Sequence, residues 1–177
     1  MRKNILAVIF AAAISVTAAE YVAPEYQGFQ IDPLPGWRLM PDRQRPDLAL
    51  LGRTDTRNPH HTVVAEVRIS PVAPRRLTMS EVRQAVEEKM KRQETDRIRE
   101  FKFTLKESVV SGTPALEIRT GCLDAGTRPI SRMESLGFML ITRDNRLLSV
   151  TVSERSDEVG FRLDDKAAAE FFNAVHW

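Results

Sequence analysis

Phe29-Gln30-Ile31-Asp32-Pro33-Leu34-Pro35-Gly36-Trp37 is the stretch around which the rest of the chain is organised. Phe29 and Ile31 alternate with Gln30 and Asp32, which is the period of a half-buried strand. Pro33 and Pro35 have no N–H to donate to a ladder, so the strand is expected to stop at Asp32. Gly36 permits a backbone angle that other residues resist, and Trp37 then offers a large apolar surface for a core to close around. The signal is architectural: a strand, an extended break, and a core plug where the first strands turn under the C-terminal helix.

Upstream, Arg2 and Lys3 precede an uncharged run from Ile5 to Val16, and Val16-Thr17-Ala18-Ala19 supplies small residues at a cleavage position. This predicts a secretory signal peptide over residues 1–19, cut near Ala18 or Ala19. The apolar run is shorter than the roughly 20 residues of a spanning helix. No cysteine follows it to carry a lipid. Residues 20–177 are therefore expected to form one exported α+β domain, periplasmic or secreted, without stable membrane insertion after cleavage.

Losing the signal segment removes two of the 26 basic residues and none of the 24 acidic ones, so the sequence pI near 8.9 gives no support to nucleic-acid binding. The charge is unevenly spread. Arg38, Arg43, Arg45, Arg53, Arg57, Arg68, Arg75 and Arg76 crowd residues 37–76, while 154–177 is acidic. A domain of this length buries roughly 68–70% of its unfolded surface and needs no disulfide or metal to fold. The single Cys122 cannot make an internal bridge and is expected to be buried.

Downstream of Trp37, Arg38 to Asp47 reads as an exposed loop and Leu48 to Gly52 as a short strand. Thr62 to Ser70 places Val63, Ala65, Val67 and Ile69 on one face, the clearest strand alternation of the first half. Pro71 and Pro74 end it. Thr78-Met79-Ser80-Glu81 fits a capping box, and Val82, Ala85, Val86 and Met90 follow at helical spacing. Gln93 to Glu100 reads as a frayed turn or a loop. Phe101, Phe103 and Leu105 then begin a strand that turns at Ser111-Gly112-Thr113-Pro114 and returns through Ala115 to Arg119. Gly121 to Ile130 reads as a mobile connection. Ser135 to Thr142 and Leu147 to Ser153 flank Asp144-Asn145, a pair suited to the left-handed angles of a tight hairpin. A helix from Asp164 or Asp165 to Val175 closes the chain, with Ala168, Phe171, Phe172 and Val175 as its apolar stripe.

The motifs of common chemistries are absent: no glycine-rich phosphate loop, no Gly-x-Ser-x-Gly elbow, no His-Glu-x-x-His, no paired Cys-x-x-Cys. His60-His61 is read as a solvated loop pair, because adjacent strand residues point to opposite faces and zinc would require further ligands. Asp164-Asp165 fits helix capping better than acid–base work. No catalytic, cofactor-binding or metal-binding residue is assigned, and no cofactor is expected.

The chain resembles the PsbP/DcrB-like group of exported domains, relatives of a Ran-binding nuclear import factor. The residues that carry the resemblance are Phe29-x-Ile31 before Pro35-Gly36-Trp37, a single amphipathic helix some forty residues later, Val110-x-Gly112-x-Pro114-Ala115 between two strands, and a phenylalanine-bearing C-terminal helix. It implies an α/β/α sandwich with a central, mainly antiparallel sheet, and binding or assembly work without a catalytic constellation. The sequence reading is thus an exported, non-enzymatic binding or assembly protein of the bacterial cell envelope that presents a surface to a protein partner. Arg43, Arg45, Arg53 and Arg57 are the candidate partner-binding residues. A periplasmic carrier of a small apolar ligand is the alternative, and a hydrolase ranks below both.

Overall fold

The computed structural model describes residues 25–40, 44–54, 58, 60–126, 129–158 and 160–177. Along these residues run β1 (Gln30–Ile31), β2 (Arg38–Leu39), β3 (Leu48–Thr54), β4 (Thr62–Ile69), α1 (Met79–Met90), β5 (Ile98–Val110), β6 (Thr113–Asp124), β7 (Ser131–Ile141), β8 (Leu147–Ser156), α2 (Asp165–Asn173) and β9 (Val175–His176). Seven strands form one antiparallel sheet in the order β2-β3-β4-β8-β7-β6-β5, and β1 pairs with β9 in a separate ribbon. The architecture is α+β. Among the described residues no helix is long and apolar enough to cross a membrane.

Alternation explains how the layers assemble. Ala65, Val67 and Ile69 of β4 stand opposite Val152, Val150 and Leu148 of β8, and all six are buried. Ala168 and Phe171 of α2 settle on this stripe together with Phe29, Ile31, Leu136 and Leu140. Residues in the other phase of the same sheet serve α1: Leu116 and Ile118 of β6 pack on Val82 and Val86, flanked by Met139, Ile141 and Leu147. Burial on this scale, at ~25 cal/mol per Å², is what offsets the entropy of ordering the strands.

The expected helix starts are observed. Thr78 caps α1 in a complete capping box with Glu81, and the Asp164 carboxylate accepts the Lys166 and Ala167 amides at the start of α2. The tight hairpins are also where they were expected. Ser111 and Gly112 carry φ of 48° and 78°, and Asn145 carries 63°, the angles that two-residue and Asx-type turns require.

Five expectations require correction. Ala85 is exposed: the stripe that meets the sheet is Met79, Val82, Val86 and Met90, which winds away from it. The segment expected to be mobile from Gly121 is strand as far as Asp124, because Gly121 pairs with both Lys102 and Glu134 and the buried Asp124 is anchored from three sides. β5 begins at Ile98 rather than Phe101, with a register shift between Arg99 and Lys102 where Glu100 takes φ of 53°. Arg38 to Asp47 is not wholly loop, since Arg38 and Leu39 pair with Gly52 and Leu51. α2 ends at Asn173, and Val175 leaves the helix to pair with Ile31.

Trp37 lies where the N-terminal stretch was expected to bring it. Its ring sits 5.1 Å from that of Phe171, tilted by 41°, so it covers the underside of α2. Phe171 is fully buried and Trp37 only partly, which makes the tryptophan a rim of the core rather than its centre.

Candidate functional site

On the side of the sheet that carries α2, the helix packs on β8 and, through Phe172 edge-on to Phe138, on β7, and it leaves β5 and much of β6 open. A cleft of about 430 Å³ results, with Lys102, Thr104, Arg119, Gly121 and Leu123 from the two strands facing Arg132, Glu134, Arg162 and Asp165. Lys102, Thr104 and Arg119 are exposed.

The far wall is fixed by two carboxylates. Glu134 and Glu154 are direct partners across β7 and β8, in phase with the apolar stripe of each strand. Glu134 accepts the Leu163 amide at 3.0 Å on one oxygen, and Arg132 Nε and Arg162 Nη1 at 3.1 and 3.0 Å on the other. Burial acts to raise this carboxyl, but the Leu163 amide, Arg162 and Arg132 outweigh it and hold the group below its ordinary value. Glu154, 5% exposed, accepts the Asp164 amide at 2.8 Å and meets His61 Nε2 at 2.6 Å. Phe161 stands edge-on to the His61 ring at 5.7 Å. The pair of glutamates therefore pins residues 161–164, and that segment delivers Arg162 and the first turn of α2 to the cleft.

The near wall is set by Arg119, which bridges Glu117 at 3.0 Å and Asp165 at 2.9 Å. Its hydrogen bonds to these two carboxylates keep the guanidinium more firmly protonated than usual. Lys102 has no ion-pair partner among the described residues. The cleft thus offers one free ammonium and the unused N–H groups of three arginines, a surface suited to carboxylates or other anions.

On the opposite face Asp124, 1% exposed, accepts Arg97 Nε and Nη2 at 3.0 and 3.3 Å and the Gly126 amide at 3.0 Å, and forms an ion pair with Arg155 Nη2 at 3.1 Å. Arg97 foremost holds its carboxyl below the usual value, although burial opposes this. Cys122 is free and buried, and burial pushes its thiol up.

Of the arginines singled out in the sequence, Arg45 and Arg53 do not line this cleft. Arg45 lies before β3 and pairs with Asp47 at 3.0 Å, and Arg53 is exposed near the other end of that strand. Arg43 and Arg57 lie outside the described residues, as does the signal segment 1–19. His60 is exposed while His61 is held by Glu154, so the two imidazoles serve different surroundings. Among the described residues no group of three or more His, Cys, Asp or Glu is placed to hold a metal ion. Sequence reasoning missed Glu134, Glu154 and Asp124. The signal was available: each is an acid in the apolar phase of a strand, Glu134 ahead of Leu136 and Leu140, Glu154 after Val150 and Val152, and Asp124 after Leu116 and Ile118.

No protein-family model and no curated protein matches the chain. Among solved structures, that of LpqN, described as involved in cell envelope biogenesis of Mycobacterium tuberculosis, overlaps it with a TM-score of 0.45 and 14% identity, over 82% of this chain and 76% of that one. An overlap of this degree says nothing of what the present chain does.

Proposed function

We propose that the chain is an exported, non-enzymatic binding or assembly protein of the bacterial cell envelope, an α/β/α sandwich of the PsbP/DcrB-like kind, that presents a charged surface to a protein partner. Support for the layering is that α1 and α2 pack on alternate residues of the same strands. The observation that carries the function is the open cleft over β5 and β6, where Lys102, Arg119, Arg132 and Arg162 converge on the face of these strands that is turned away from α1 and that α2 leaves open. Two of its carboxylates, Glu134 and Asp165, are engaged in fixing its walls, which favours recognition over acid–base chemistry.

The test is cross-linking of the mature protein in envelope extract of its host, with charge reversal at two separate places. Lys102→Glu with Lys106→Glu is expected to abolish capture of a defined partner, while Arg45→Glu with Arg53→Glu leaves it intact. The converse result returns the interface to the arginine surface. A wild-type protein that captures nothing above background overturns the reading.

A groove of about 510 Å³ between α1 and the β5–β6 hairpin favours the second reading, an apolar-ligand carrier. Met79, Val109, Pro114 and Leu116 line it, and Arg83 reaches Glu107 at 3.6 Å beside it. Native mass spectrometry of protein purified from its host is expected to retain extra small-molecule mass if this reading is correct.

A further inference from the structure

We propose that β5 accepts an added strand from an acidic, extended segment of the partner protein, an inference that rests on the partner-binding reading above and names the partner's chemistry. β5 is the last strand of the sheet, and no described strand pairs with its outer side. From Lys102 opposite Gly121 to Val110 opposite Thr113 its inner pairing with β6 is unbroken, and the register shift is confined to residues before Lys102. The edge at the far end of the sheet is β2, only two residues long. β5 is therefore the long regular edge, and an open edge is a template for another chain.

The two-residue turn at Ser111 and Gly112 settles which backbone groups are free. Val110 and Thr113 flank that turn and exchange both hydrogen bonds across it, and alternate residues back along the strand do the same. The N–H groups of Phe103, Leu105, Glu107 and Val109 consequently point outward.

Side chains define what can lie alongside. On the cleft side Lys102, Thr104 and Lys106 are exposed in a row, and neither lysine has an ion-pair partner among the described residues. Arg119 stands behind Thr104 as its partner on β6. On the other side Phe103 and Leu105 are half-buried, and Val109 is 67% exposed. A complementary strand carries two acids four residues apart, a polar residue between them, and apolar residues at the alternate positions. A second copy of β5 is a poorer occupant, since its residues of the same phase are Lys102, Thr104, Lys106 and Ser108 and bring no acid to either lysine in any register.

The probe is a soluble peptide with the core Val-Glu-Val-Thr-Val-Glu-Val, compared with one bearing Lys in place of both Glu. The acidic peptide is expected to slow amide exchange at Phe103, Leu105, Glu107 and Val109, and to bind roughly threefold to tenfold more tightly than its basic counterpart at low salt. Lys102→Glu with Lys106→Glu is expected to invert that preference. Both lysines are exposed, and an unchanged melting midpoint confirms that the variant folds. Absence of protection along β5 at saturating peptide, equal affinity for the two peptides, or occupation of β5 by a second copy in sedimentation overturns the proposal. If an envelope partner is captured but the acidic peptide gives no protection, strand addition is wrong and partner binding stands. If the peptide protects β5 but no partner is captured, the reverse holds.

Discussion

Glu134 and Glu154 stand directly opposite each other on β7 and β8, and each holds a different backbone amide of the segment that starts α2. Like charges at opposed positions repel, so neutralising one glutamate removes its favourable contacts and relieves the repulsion at the same time. Glu134→Gln and Glu154→Gln are each expected to destabilise modestly. The double variant is expected to lose more than the sum of the singles, by roughly 0.2–1 kcal/mol, because the repulsion can be relieved only once. Urea unfolding of the four proteins measures this, and strict additivity would mean that the flanking arginines already screen the pair.

Asp124 predicts a pH dependence of defined sign. Its carboxyl titrates below the usual value in the folded protein, chiefly through Arg97. The stability it contributes is therefore fully present above its unfolded pKa of about 3.9 and is lost as pH falls through the folded value. Asp124→Asn is expected to cost about 1–3 kcal/mol at neutral pH. The gap between wild type and variant should close as the medium is acidified below about pH 4. A gap that widened in acid would exclude the ion pairs as its source.

The tilted Trp37–Phe171 pair ranks two truncations. Phe171→Ala, at a fully buried position, is expected to cost about 3–5 kcal/mol, and Trp37→Ala about 2–3 kcal/mol because part of the indole already meets solvent. Equal losses would place Trp37 deeper in the core than its exposure indicates. Denaturant midpoints at constant slope decide it.

Asn145 has two roles that one substitution separates. It takes the left-handed angle of the β7–β8 turn, and its amide also accepts the Leu77 N–H at 2.9 Å and donates to the Ala73 and Arg75 carbonyls at 3.2 and 2.8 Å. Asn145→Gly preserves the angle and deletes the side-chain bonds, each worth about 0.5–1.5 kcal/mol. Faster amide exchange is expected in α1, whose lead-in those bonds hold, with little change in β7 and β8.

The parts of this fold that were legible in the sequence are those decided locally. The alternation of Val63, Ala65, Val67 and Ile69, the Thr78 capping box and the Asp164 cap each depend on residues a few positions apart. What was not legible depends on partners distant in the chain. Gly121 and Cys122 look like loop residues until β5 and β7 flank them, and Val175 continues a helical stripe until Ile31 claims it. The cleft over β5 and β6 was hidden for the same reason. Counting arginines over residues 37–76 takes no account of face or strand order, which put Arg45 and Arg53 near β3 and bring Lys102 and Arg162 together from segments far apart.

The small β1–β9 ribbon has a consequence for the order of assembly. The hairpins β5–β6 and β7–β8 close over short turns and can form early, but Ile31 can pair only once Val175 has emerged, and Asp32 finds His176 at a separation of 144 residues. Such a contact is slow to reach because its loop entropy must be lost first. Until then Phe29 and Ile31 have no seat and α2 lacks the strand that anchors its C-terminal end. The ribbon is therefore expected to close after the local hairpins, as a latch that ties the two ends of the described chain together and seats Phe29 and Ile31 beside α2.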